Sequence, residues 1–433
     1  MTPKLTRRGV FALGATSVPL VAQNATVARA TRGTSPLRIT KVESMIVRTP
    51  NDNLPADALI EMPAVGSMTG GPGLWNRLDH ASPTRFKGHT QAVLVKITTD
   101  QGIVGWGECH APSAPRVHQT VITDLFAPVL MGQDARNIDP LWERLYSTER
   151  VRGYSTGSYT EALAGIDIAL WDIVGKFTGQ PLWQLLGGKY REKIPTYTGI
   201  GGKTAAELKE NAVRAMESGF GAVKMGLSKG PGTNDLNRVS TVADAIKGKG
   251  QLLVDSLGAY KLYEAVKVGR ELDRLGNIGW WEDALLPEDL SGYAKLAEAL
   301  DTAVCAGEEV NNRYQFRDYF ANKSVDIINP DVCRAGGISE CRRIATLADI
   351  HGVLWSPHVS TGTALYMSAS LHLAAATPNF VIMEGGSAHL GPLGNRLIKD
   401  PLEYSSGSAK VPDRPGLGIE FDERELKKVL REN

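Results

Sequence analysis

Down the second half of this chain, five acidic residues and one histidine recur at almost constant spacing. They are Asp255, Glu282, Glu308, Asp331, His358 and Glu384, with gaps of 27, 26, 23, 27 and 26 residues. Each gap is about the length of one strand, one helix and two short loops. Each residue also closes an apolar run: LLVDS, WWED, AVCAGEE, IINPD, LWSPH and VIMEGG. Separate structural carboxylates have no reason to keep such a beat. The pattern predicts one ionisable group at the C-terminal end of each of six successive strands. In a closed parallel β/α barrel those ends converge on one mouth, where active sites of that architecture lie.

The rest of the second half fits this reading. Strands are predicted at 195–200, 222–226, 252–256, 279–283, 303–308, 325–331, 353–358 and 381–384. Helices are predicted near 204–218, 235–247, 261–275, 289–300, 312–322, 337–351 and 363–376. Strands joined through helices in one sheet run parallel. The expected class is α/β, a (β/α)7β TIM-like barrel over residues 161–390. Ahead of it, residues 37–160 read as an α+β capping domain. Its strands are 37–48 and 91–98, with a turn at Asp100-Gln101-Gly102 leading into IVGWGE as a hairpin partner. Its helices are 117–130, 138–148 and 158–178; the last ends at Gly179 with Pro181 just beyond. The Gly/Pro/Ser/Asn-rich stretch 50–90 is too long for a simple connector and reads as a lid or binding loop. Residues 391–433 are expected to pack back on the capping domain.

At 433 residues the chain can bury a large core and hold two domains. A net charge of +1 gives no signal for nucleic acid or an anionic membrane. No apolar run reaches membrane-spanning length. The four cysteines, Cys109, Cys305, Cys333 and Cys341, show neither CxxC spacing nor a disulfide-dense pattern. Cys305 and Cys333 read as small buried hydrophobes of core strands. The first thirty residues differ from the rest. Thr6-Arg7-Arg8 precedes the weakly apolar GVFALGATSVPLVA, and the small-x-small site Ala28-Arg29-Ala30 follows. This order matches an export signal, and the paired arginines resemble the twin-arginine type, although Val10 stands where that motif prefers Phe. Removing residues 1–30, with four basic and no acidic side chains, would take the net charge from +1 to −3. A periplasmic mature chain is expected, with the cytoplasm as the alternative.

Three carboxylates on neighbouring strands, Asp255, Glu282 and Glu308, repel one another unless a cation neutralises them. An all-oxygen set suits Mg²⁺. Asp283, beside Glu282, stays ambiguous, because strand alternation points only one of them inward. Asp331 and His358 fall on adjacent strands. A carboxylate bonded to one ring nitrogen fixes the tautomer and raises the basicity of the other, which makes a general base. Lys224, in AVKMG, sits across the mouth and either neutralises the metal carboxylates or binds substrate. Glu384 could bond a substrate carboxylate through a shared proton, so its pKa is expected to be raised.

These residues resemble the enolase superfamily in its mandelate racemase subgroup. EALAGIDIALWDIVGKFTGQPLWQLLGG resembles the family's approach to its barrel. VDS, WWED and AGEE match its metal-ligand strands, NPD and SPH its Asp–His dyad, and PGLGIEFD its closing segment. The resemblance covers about residues 37–425. It implies a capping domain whose 50–90 loop closes over the barrel, and Mg²⁺ held by Asp255, Glu282 and Glu308. It also implies abstraction of the proton α to a carboxylate, giving an enediolate that the metal stabilises. The family is often octameric, so a homo-oligomer is expected.

One departure narrows the reaction. Mandelate racemase relatives carry Lys-x-Lys on the second strand; here the run is Lys224-Met225-Gly226. Without a second lysine there is no opposing base, and racemisation is disfavoured. The cycloisomerase-like branch places a lysine on the sixth strand, where Asp331 stands here. A single His–Asp dyad suffices for dehydration, and KMGLSKGPG resembles the strand-2 loop of rhamnonate dehydratases. The expected function is a hydro-lyase that dehydrates an aldonate or aldarate to a 2-keto-3-deoxy acid. The alternatives are a racemase or epimerase of the same family, or a periplasmic sugar-acid binding protein on this scaffold. Arg85, His80, His89 and Arg152 are candidate substrate contacts.

Overall fold

The structure, a computed structural model, describes residues 35–50, 59–62, 84–87, 89–112, 114–227, 235–386 and 389–430. The N-terminal unit is built on a three-stranded antiparallel sheet. β1 (Ile39–Pro50) pairs with β4 (His89–Thr99), and β4 with β5 (Val104–Cys109). Between β1 and β4, two short strands, β2 (Leu59–Met62) and β3 (Thr84–Lys87), pair antiparallel. The rest of the expected 50–90 lid lies outside the described residues, as does the export-signal segment.

The long helix Ser158–Thr178 lies on this sheet and buries its Ala/Ile/Leu face against β4 and β5. The approach is close because the facing strand carries glycine. A Cβ on Gly107 would lie 1.9 Å from the carbonyl oxygen of Gly165, so any side chain there would push the helix away.

The second half forms eight parallel strands alternating with helices. They are β6 (Lys193–Gly199), β7 (Ala222–Gly226), β8 (Gln251–Asp255), β9 (Ile278–Glu282), β10 (Val304–Ala306), β11 (Ile327–Ile328), β12 (Leu354–Trp355) and β13 (Met383–Glu384). β6 to β12 pair in sequence order. Trp355 bridges Phe380 in parallel, and β13 pairs with β6 (Met383 with Thr196, Glu384 with Tyr197), which brings the ladder back to its start. The predicted strand positions all fall on observed strands. The last three predicted before β13 were too long, however: β10 to β12 run for only 3, 2 and 2 residues. Gly307, at φ +131°, ends β10, and Asp331 opens a turn in which the Ala335 N–H returns to its carbonyl at 2.7 Å. Glu308, Asp331 and His358 therefore sit on the first residues beyond their strands rather than on them.

Alternation along the strands stacks the lumen in layers. Tyr197, Ala222, Leu253, Trp280, Cys305 and Ile327 form a buried apolar plug. Two residues further along four of these strands come Lys224, Asp255, Glu282 and Asn329, a polar layer directly above the plug. Cys305 belongs to that plug as expected. Cys333 is buried but lies in the turn after β11, not in a strand.

The C-terminal segment divides its contacts. β14 (Tyr404–Ser405) and β15 (Ser408–Lys410) form a hairpin, and β15 adds antiparallel to β6 of the barrel. Phe421 then stacks on Trp106 at 4.3 Å, and Leu430 bridges Val47, both in the capping unit. Packing on the capping unit was expected; the barrel edge takes the first part of the tail as well, because the N-terminal end of β6 has free ladder positions.

Candidate active site

The polar layer brings the predicted residues of β7, β8, β9 and β13 together. The Lys224 ammonium lies 3.3 Å from Asp255 Oδ2, 3.1 Å from Glu282 Oε1 and 3.0 Å from Glu384 Oε1. Glu282 is fully buried and accepts from Trp280 Nε1 and Asn329 Nδ2, both at 3.0 Å. Burial opposes the charge on Lys224, but Glu282 and Glu384 outweigh it and hold its pKa well above the ordinary lysine value. The carboxylates are less well served. Burial, with Glu308 and Glu384 adding to it, raises Asp255, and burial lifts Glu282 to about 8 despite Lys224.

Ligand atoms of Asp255, Glu282 and Asp283 all lie within 4.8 Å of one another. Asp283 joins this group because its backbone leaves the strand: φ is +44°, so the alternation that would turn it outward no longer holds. Burial and the neighbouring carboxylates, Glu308 foremost, raise its pKa well above the aspartate range. Glu308 borders the same group, for its charge acts on Asp255, Glu282 and Asp283 alike, while its Oε2 lies 3.2 Å from His358 Nε2. One ammonium facing this many buried carboxylates leaves them short of positive charge. An all-oxygen, under-neutralised set of this kind fits a hard divalent cation such as Mg²⁺.

On the other side of the mouth, His358 Nδ1 lies 2.7 Å from Asp331 Oδ2, and the two residues also pair as a parallel bridge that prolongs β11 and β12. Asp331 Oδ1 accepts the Cys333 N–H at 2.8 Å, and the Tyr366 hydroxyl donates to Oδ2. Burial alone would raise Asp331; the hydrogen bond and charge of His358, with His110 and Arg334, bring it down to about 2. Burial alone would lower His358; Glu308, Asp331 and Glu384 raise it to about 9. Nε2 points into the carboxylate group, 3.2 Å from Glu308 and 3.7 Å from Glu384.

One expectation is corrected. Glu384 was expected to have a raised pKa. Burial does push it up, but Lys224, His358 and His389 outweigh burial and lower it to about 2. Two cations face it within the protein, so it does not need a shared proton.

The candidate substrate contacts fare unevenly. Arg152 is exposed on the short helix Arg150–Arg152 and meets none of these groups. Arg85 and His89 fall on β3 and β4, where the described structure stops at the backbone, and His80 lies outside the described residues.

Sequence reasoning missed several members of the site. Asn329 was legible, since it follows Ile327 by the period of two. Arg334 donates to the Glu308 carbonyl at 3.2 Å and to His110 Nε2 at 2.8 Å. A guanidinium only donates, so His110 is neutral with its proton on Nδ1. Burial and Arg334 together hold its pKa down to about 3. His110 reaches this place from β5, in the other half of the chain, and no local pattern could have announced it.

Comparison with known proteins agrees with this geometry. Residues 78–187 match the mandelate racemase/muconate lactonizing enzyme N-terminal domain, and residues 207–425 match the enolase C-terminal domain-like family. The chain is 36% identical over 364 residues to a D-galactarolactone cycloisomerase from Agrobacterium fabrum, covering 80% of this chain and 94% of that protein. It is 30% identical over 347 residues to a D-galactonate dehydratase from Variovorax paradoxus, covering 77% of this chain and 90% of that one. A solved structure of an enolase superfamily member from Agrobacterium tumefaciens superposes with a TM-score of 0.81 at 26% identity, covering 92% of this chain and all of the other (100%). A barrel with acidic strand ends and a capping domain is the hallmark of one class of enzymes, and the chain belongs to it: it is a member of the mandelate racemase/muconate lactonizing enzyme family of the enolase superfamily.

Proposed function

We propose that this enzyme dehydrates a sugar acid, an aldonate or aldarate, to a 2-keto-3-deoxy acid. The observation that carries the reading is a single base on one face of the mouth. His358, oriented by Asp331, turns its Nε2 into the carboxylate group; Glu308, the foremost of the charges that raise its pKa, is one that Mg²⁺ would neutralise, which would leave Nε2 able to act as a base. Opposite it, Lys224 is engaged by three carboxylates and is followed by Met225 and Gly226 rather than a second lysine.

In this mechanism His358 Nε2 takes the proton α to the substrate carboxylate. Asp331 holds Nδ1–H and stabilises the imidazolium that results. The electron pair left on the α-carbon passes into the carboxylate as an enediolate. As that pair returns to form the Cα–Cβ double bond, the β-hydroxyl leaves and takes the same proton from His358, so one water is released. The enol product then tautomerises to the keto acid. Lys224 lies where it can hold the substrate's carboxylate end and the developing charge, and Glu384, 3.0 Å from its ammonium, keeps it in place. Mg²⁺, held by Asp255, Glu282 and Glu308 with Asp283 alongside, would supply Lewis-acid withdrawal of charge from the substrate carboxylate.

The relative at 36% identity bears the name of a lactone cycloisomerase, which favours a second reading. If the β-oxygen belongs to an internal ester, the same α-proton removal and β-elimination open the ring, and no water leaves. A panel of aldonates, aldarates and their lactones, assayed with Mg²⁺, separates the cases. A keto acid lighter by one water supports dehydration; a keto acid of unchanged mass from a lactone supports the second reading. Deuterium in recovered substrate with an inverted α-centre, and no keto acid, would sink both in favour of epimerisation.

We further propose that residues 1–30 export the folded protein to the periplasm. Thr6-Arg7-Arg8, the apolar stretch and Ala28-Arg29-Ala30 support this.

A further inference from the structure

Asp331 accepts three hydrogen bonds, and the one from Tyr366 has no counterpart in the dyad described so far. Tyr366 is the third residue of the helix Ala364–Ala376 and is fully buried. Its hydroxyl donates to Asp331 Oδ2, the same oxygen that takes His358 Nδ1 at 2.7 Å. The Ser360 N–H donates to the Tyr366 oxygen at 3.0 Å. With that lone pair used, the single phenolic proton is directed at Asp331.

The helix that carries Tyr366 is itself pinned at its start. Thr363 caps it by accepting the Leu365 N–H at 3.2 Å. The Thr363 N–H in turn donates to both carboxylate oxygens of Glu108, at 3.0 and 3.2 Å, and its hydroxyl bonds Glu108 as well. Glu108 belongs to β5 in the capping unit. The hydroxyl of Tyr366 is therefore held at a fixed place relative to both halves of the molecule.

We propose that Tyr366 is a positioning residue: a neutral donor from the barrel's last helix that locks the Asp331 carboxylate facing Nδ1 of His358. This rests on the reading of His358 as the base. The residue type supports it. An arginine or lysine at this place would neutralise Asp331 and remove the charge that supports His358. A phenylalanine would fill the same core volume, so packing does not require the hydroxyl, and a buried hydroxyl without a partner is unfavourable. A phenol adds direction to the carboxylate and leaves its charge in place.

A double-mutant cycle tests this. Tyr366→Phe removes one hydrogen bond to a charged group, which corresponds to a fall in kcat of about 10- to 100-fold, with KM unchanged. Because the hydroxyl acts only through Asp331, the double variant Tyr366→Phe/Asp331→Asn should be no slower than Asp331→Asn alone. Rates are taken per folded molecule, from the fraction that resists thermolysin, so a loss of folded protein does not register as a loss of rate. Thr363→Val, which removes the hydroxyl's bond to Glu108 and its cap on the Leu365 N–H and so loosens the helix start, should lower kcat in wild type and change nothing in the Tyr366→Phe background. Wild-type kcat in Tyr366→Phe, a raised KM with kcat intact, or effects of Tyr366→Phe and Asp331→Asn that multiply would each overturn the proposal. The cycle is read on exchange of the substrate α-hydrogen with deuterated solvent as well as on keto-acid release. If wild type exchanges that hydrogen but releases no keto acid, the dehydratase reading falls, and the exchange cycle still decides the role of Tyr366.

Discussion

Replacing His358 by asparagine should nearly abolish turnover while leaving the fold, the carboxylate group and substrate binding in place. An asparagine amide can occupy roughly the position of Nδ1 and keep a hydrogen bond to Asp331. It has nothing at the position of Nε2, the nitrogen that lies 3.2 Å from Glu308 and faces the substrate space. In the proposed mechanism that one nitrogen acts twice, as base toward the α-carbon and as acid toward the departing hydroxyl. Each role contributes roughly 10²–10⁴-fold, so kcat should fall by at least about 10³. Among the described residues no neighbour is placed to take over. Lys224, the cation across the mouth, is bonded by carboxylates at 3.0, 3.1 and 3.3 Å, and these hold its pKa well above the ordinary value, so it is not a free amine. Asp331→Asn should cost less, about 10- to 100-fold, because it removes the charged partner of Nδ1 and leaves Nε2 in the site.

The assay follows the substrate α-hydrogen by proton NMR in deuterated solvent alongside trapping of the keto acid. Wild type should show both signals and His358→Asn neither. If His358→Asn exchanges that hydrogen at the wild-type rate, the base lies elsewhere, Lys224 becomes the suspect, and the one-base argument is wrong.

Three further outcomes are expected. Activity should disappear in EDTA and return with Mg²⁺, and Glu308→Gln should weaken metal binding measured by calorimetry; full activity in chelator would refute the metal assignment. Burial raises Glu108 from 4.5 to about 7, so the folded state holds its proton more tightly than the unfolded chain. That stabilisation is complete below the unfolded pKa and is lost as pH rises through the folded one. Relative to Glu108→Gln, wild type should therefore lose up to about 3 kcal/mol between the two values, and a stability difference that does not change across that window contradicts the burial argument. Finally, Arg7→Lys with Arg8→Lys should keep the protein in the cytoplasm at full length, whereas an intact Met1 in mature protein from its native cell would count against export.

The barrel was readable because its strands are buried apolar runs that each end in an ionisable residue, a coincidence of two signals at one position. The dyad was readable for the same reason. The polar layer was only partly so. Asn329 obeys the period of two but was overlooked beside the louder Asp331. Asp283 could not be assigned, because alternation assumes extended backbone and Asp283 leaves it at φ +44°. Tyr366 lies in an apolar helix, and only its three-dimensional neighbour distinguishes it from a core aromatic. The pKa of Glu384 runs opposite to the expectation because two cations already stand beside it, Lys224 and His358, which no local sequence pattern announces.

The short ladders of β11 and β12 raise a mechanical question that the capping unit answers. Two residues of pairing and one isolated bridge are a slender frame for side chains three residues further on. Yet Asp331 and His358 must hold a 2.7 Å contact. Just beyond each of them, the chain is gripped by a buried carboxylate from the N-terminal side. Asp167, on the long helix that crosses from the capping unit, takes the Ser339 N–H at 2.9 Å and the Ser339 hydroxyl at 2.6 Å. Gly337 leaves room for that carboxylate, since a Cβ there would lie 2.5 Å from Asp167 Oδ2. Glu108 does the same at Thr363, and Asp172 takes the Leu417 N–H of the tail at 3.0 Å. These grips sit on the segments that follow the dyad residues and on the tail, and Asp172 ties the tail to β5 as well through the Trp106 N–H at 3.0 Å. The capping unit thus supplies the rigidity that β11 and β12 lack, and the catalytic pair belongs mechanically to both halves of the chain even though both residues come from one.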